Sequence, residues 1–68
     1  MAISDGIKNK LLEGIQNALE EVTTAANNVD DDGNNINSPP PEEVFAQELT
    51  DAIVTFINAA IDAGELES

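Results

Sequence analysis

The chain has 68 residues, of which 14 are acidic and 2 basic, giving a formal charge of −12. It contains no Cys, His, Arg, Trp or Tyr, which excludes disulfides, thiolate zinc sites, imidazole ligands and the Ser–His or Cys–His pairs of nucleophilic catalysis. Its two basic residues, Lys8 and Lys10, cannot neutralise a phosphate backbone, so direct nucleic acid binding is not expected.

Residues 1–27 read as an amphipathic helix. Leu11, Ile15, Ala18, Val22 and Ala25 recur at alternating spacings of four and three, with Ile7 four residues earlier, and Leu12, Leu19 and Ala26 widen the same face. Ser4 or Asp5 suits the N-cap, because either side chain accepts from free backbone N–H groups of the first turn. Gly6 and Gly14 weaken the helix, each by about 1 kcal/mol relative to Ala. Thr23, Thr24, Asn27 and Asn28 predict a frayed end.

Residues 28–41 form an acidic, Asn- and Pro-rich connector. Its length exceeds the roughly 2–8 residues of most helix–helix links, so the helices need not pack on each other. Fully extended, it would reach about 45 Å, and Pro39, Pro40 and Pro41 predict a polyproline run at its end. On this reading the connector lies along a partner's surface. Asn28-Val29-Asp30-Asp31-Asp32-Gly33 also matches the opening of a calcium loop, with oxygens at alternate positions and Gly at the sharp turn, making Asp30 and Asp32 candidate calcium ligands. The pattern lapses in its second half, where Pro39 stands at the position of the bidentate Glu and Glu42 comes three residues later. No other cofactor is implied.

Residues 42–64 read as the stronger helix. Pro41 fits the first helical position, Glu42 and Glu43 favour the positive end of the helix dipole, and Gly64 fits the position after the last turn. Phe45, Leu49, Ala52, Ile53, Phe56, Ile57, Ala60 and Ala63 share a broad apolar face, while Val54 and Ile61 flank it and predict burial on more than one side. Residues 65–68 are a short acidic tail.

The fold class is therefore all-α: two amphipathic helices on a long acidic connector, one small unit without separate domains, stabilised by association. A core built mainly from Ala, Ile, Val and Leu in so few residues supplies only about 3–5 kcal/mol on its own. The expected contact residues are Phe45, Leu49, Ile53, Phe56 and Ile57 of the second helix, with Leu11, Ile15 and Val22 of the first. Carboxylates abound, but nothing predicts the enclosing walls of a cleft, so an enzyme is not expected. The N-terminus has no basic region followed by an apolar run, no stretch approaches ~18 consecutive apolar residues, and the polar helix faces are acidic; a membrane partner is not expected.

The run Phe45-Ala46-Gln47-Glu48-Leu49-Thr50-Asp51-Ala52-Ile53-Val54-Thr55-Phe56-Ile57-Asn58-Ala59-Ala60 resembles a helix of small virion proteins of tailed bacteriophages, whose alanine-rich run has the form Leu-x-Asp-Ala-Ile-x-x-Phe/Tyr-Ile. The resemblance implies a structural role and carries over no catalytic residue. It implies a place in the virion, assembled in the host cytoplasm, with docking on a larger capsid, portal or tail protein. Charge adds that the partner's surface is basic, with self-association as a second contact, since identical copies repel. The rival readings are an acidic inhibitor or nucleic-acid mimic in a basic groove, and a calcium-binding helix–loop–helix.

Overall fold

The computed structural model describes residues 2–66 and is all-α. Met1 and the last two residues of the acidic tail, Glu67 and Ser68, lie outside the described residues. The helices are α1 (Asp5–Ala26) and α2 (Pro41–Asp62), close to the boundaries read from periodicity.

Each end has a local chemical cause. Ser4 caps α1, its hydroxyl accepting from the Ile7 N–H at 3.4 Å. Pro41 opens α2 where a missing N–H costs nothing, and Glu42 and Glu43 follow in the first turn. Gly64, at φ 74°, ends α2. Its N–H donates to Ile61 O and that of Glu65 to Ala60 O, which satisfies two of the free carbonyls of the last turn. The expected fraying of α1 is not found. Thr23 and Thr24 donate their hydroxyls back to Leu19 O and Glu20 O, so they bond along the helix rather than unwinding it. Asn35 then reaches across from the connector and donates to Ala25 O at 2.7 Å and Ala26 O at 3.2 Å, capping the carbonyl end.

The length of the connector left open whether the helices pack on each other, and they do. The connector folds on itself: Ile36 N–H donates to Asn28 O, Asp30 N–H to Asn34 O and Gly33 N–H to Asp30 O, around an isolated antiparallel bridge between Val29 and Asn35. Gly33 takes φ 84°, a left-handed conformation that side chains disfavour. The Asn37 amide donates to Pro39 O at 2.7 Å and the Asn28 amide to Asn37 Oδ1 at 3.1 Å. The side chains of Asn28, Asn35 and Asn37 thus tie the connector to itself and to the end of α1.

The chain turns back and α2 packs antiparallel on α1 in a rod with extents of 52 × 19 × 13 Å. At the open end the Ser4 N–H donates to the Glu65 carboxylate. The seam is built from small side chains: Ala18, Ala25, Ala52 and Ala60 are buried with Ile7, and no large side chain is fully buried. At mid-length the backbones come close. A Cβ on Gly14 would lie 2.6 Å from Ala52 Cβ and 3.3 Å from Ala52 Cα. Gly14 therefore permits the packing that its poor helix propensity opposes.

The two α1 glycines should respond oppositely to alanine. Gly14→Ala should lower stability by about 1–3 kcal/mol through overpacking, despite the better helix former. Gly6→Ala meets nothing within 4 Å and should raise stability by up to about 1 kcal/mol. Urea unfolding of the two variants checks both signs.

Candidate docking surface

The close seam sorts the side chains of each helix to two sides. Helical residues advance by about 100° each, so positions just before and just after a seam residue fall on opposite sides of the contact. On one side Lys10, Glu13 and Asn17 of α1 face Glu48, Asp51 and Thr55 of α2 across an open groove of about 320 Å³, floored by Gly14 and Ala52. The groove exists because the residues beneath it are so small. Its charge is acidic, with three carboxylates against one lysine.

The other side is apolar. Leu12, Ile15, Leu19 and Val22 of α1 lie there beside Leu49, Ile53, Phe56 and Ile57 of α2. Leu12 and Leu19 are 52% and 51% exposed, and Ile53 and Ile57 are also exposed. Ile15, Val22, Leu49 and Phe56 are half-buried. Gln16, Thr23 and Thr50 form the rim of this side and Lys8 stands on it near the open end, but between Lys8 and Ala26 of α1 and between Ala46 and Ala60 of α2 it carries no Asp or Glu. Asp5 and Glu42 fall at its two ends. Val54 is exposed on the outer side of α2, with half-buried Ile61 about two turns beyond.

The predicted contact residues therefore do not form one equivalent set. Leu11, Ile15, Val22, Phe45, Leu49 and Phe56 are each partly covered by the hairpin itself, and Ile53 and Ile57 remain outside. Leu12 and Leu19, read from sequence only as widening the α1 face, are the most exposed large apolar residues of the two helices. The available signal was their spacing of seven, continued by Ala26 and displaced by one residue from the Leu11–Ala18–Ala25 line that enters the seam.

The candidate calcium ligands meet a different fate. One Asp30 carboxylate oxygen accepts from the backbone N–H groups of Asp32 and Asn34, both at 2.9 Å, so it closes the turn of its own loop. Among the described residues no three acidic side chains gather as a metal site would require. By length and composition alone α2 is apolar enough to cross a membrane, but Glu48 and Asp51 interrupt its middle on the groove side.

Compared with known protein families, curated proteins and solved structures, the chain matches none.

A calcium titration tests the loop. Because the Asp30 carboxylate already holds the turn, far-UV circular dichroism and thermal unfolding should be unchanged at millimolar calcium. A rise in helicity or in Tm would support Asp30 and Asp32 as ligands.

Proposed function

We propose that the chain is a non-enzymatic structural component of a phage particle. It is an assembly protein that buries its apolar helix faces at contacts with a larger virion protein of the capsid, portal or tail and with copies of itself. One observation carries the reading: a continuous apolar side, with Leu12, Leu19, Ile53 and Ile57 outside, lies opposite an acidic groove. Soluble monomers seldom leave a contiguous apolar patch of more than a few hundred Å² in water. The groove, in contrast, is open and its carboxylates face water, so it lacks the enclosure that gives one acid a function different from its neighbour's. The resemblance of Phe45–Ala60 to helices of small phage virion proteins points the reading toward a particle.

The two sides suit two kinds of contact. The apolar side is stabilised by loss of water, and the carboxylates on the groove side complement a basic surface on the larger protein. The gathering of Glu13, Glu48 and Asp51 along one groove also favours the acidic-inhibitor reading more than the sequence did. Salt separates the two, because contact through carboxylates weakens steeply with ionic strength and contact through the apolar side does not.

Peptide mapping of purified particles of the encoding virus tests the proposal. The chain should be present in a fixed copy number. Leu19→Glu combined with Ile53→Glu should remove it from the particle, because each substitution puts a charge on the buried side. Particles that lack the unmodified chain would overturn the virion reading, and undiminished incorporation of the double variant would overturn the docking side.

A further inference from the structure

We infer that the apolar side is covered by a second copy of the chain, two hairpins meeting face to face as a four-helix bundle with both acidic grooves outward. The inference rests on the reading of that side as the docking surface and names its occupant.

The charge of −12 is the obstacle to self-pairing, and the placement of the mid-helix carboxylates lessens it. The apolar side has no carboxylate between Asp5 and Glu42 at its ends. Glu13, Glu48 and Asp51 lie across the seam from it. Two copies joined by their apolar sides therefore hold these carboxylates on opposite outer surfaces, a full hairpin thickness apart on each copy, with water around them to screen the repulsion.

The dimensions also fit. A helix of 22 residues is about 33 Å long, and the hairpin is 19 Å across. One side thus presents on the order of 600 Å², and two copies bury about 1,200 Å² in total, the lower bound for a specific, stable interface. Both helices have the same length, so the two sides match end to end without overhang. Leu12 and Leu19 with Ile53 and Ile57 then become inner residues of a bundle, the role that apolar residues three and four apart on adjacent helices ordinarily have. The contact also supplies what the alanine seam lacks, since each half contributes large side chains to a common core.

Sedimentation equilibrium of the full chain, with far-UV circular dichroism, tests this directly. A helical species of twice the 7.2 kDa monomer mass is expected. Leu19→Glu with Ile53→Glu should raise its dissociation constant by at least about a hundredfold, since each carboxylate buried without a partner costs a factor of ten or more. Should that variant lose its helices as well, cysteine crosslinking keeps the test decisive, because the chain has no Cys of its own. A mixture of Leu19→Cys and Ile53→Cys chains should give covalent dimers under mild oxidation, and Glu13→Cys should not. A helical monomer, a trimer or larger species, a disordered monomer, or crosslinking at Glu13→Cys in preference to the apolar positions would each overturn the second copy as occupant. The wider docking reading fails separately. If the unmodified chain is monomeric and the double Glu variant is still lost from particles, docking stands and self-pairing falls.

Discussion

The structure depends on how closely the two helices approach at Gly14 and Ala52. Only a residue without a side chain fits opposite Ala52, and the alanines above and below continue the same narrow seam. A close seam admits few large side chains. Burying an alanine methyl stabilises by about 0.8 kcal/mol, whereas a fully buried Leu, Ile or Phe gives about 1.5–3 kcal/mol. The hairpin therefore aligns its helices with groups that contribute little and leaves the larger contributors at its edge. The geometry of the seam and the incompleteness of the core have the same cause.

The same approach organises the charge. Because the seam is narrow, the residues flanking it on each helix form two distinct sides. Glu13 and Asn17 face Glu48, Asp51 and Thr55 on one, while leucine, isoleucine, valine and phenylalanine hold the other. A net charge counted from composition says that copies repel, and the arrangement keeps Glu13, Glu48 and Asp51 off the apolar side, where Asp5 and Glu42 stand only at the ends. A contact made through the apolar side would therefore not bring Glu13, Glu48 and Asp51 of two chains together.

The two helices and their caps were legible in the sequence, because Ser4, Pro41 and Gly64 act through local chemistry that needs no knowledge of the fold. The hairpin was not. Counting the connector's residues suggested reach, but its length is taken up by a turn at Gly33 and by asparagine side chains bonding to nearby backbone and to the end of α1. Such bonds depend on which Asn faces which carbonyl, and periodicity carries no trace of that. Gly14 was misjudged for a related reason. Helix propensity describes an isolated helix, and the value of a missing Cβ appears only when Ala52 stands opposite. The candidate site was half legible: Ile53 and Ile57 were named as contacts, while Leu12 and Leu19 were merged with the seam because a single helical wheel does not show where the partner helix ends.

Within the described residues the chain obeys its local rules almost everywhere. Ser4 caps α1, Pro41 opens α2, the left-handed turns carry glycine, and no buried side-chain polar atom lacks a partner. Against that consistency the exposure of Leu12, Leu19, Ile53 and Ile57 is the one rule broken repeatedly and on one side. The break cannot be assigned to a loosely specified fold, because the same helices place Gly14 against Ala52 with no space to spare. Those four residues project from helices that the seam already sets side by side, so covering them would add large apolar contacts to a core that the alanines leave thin.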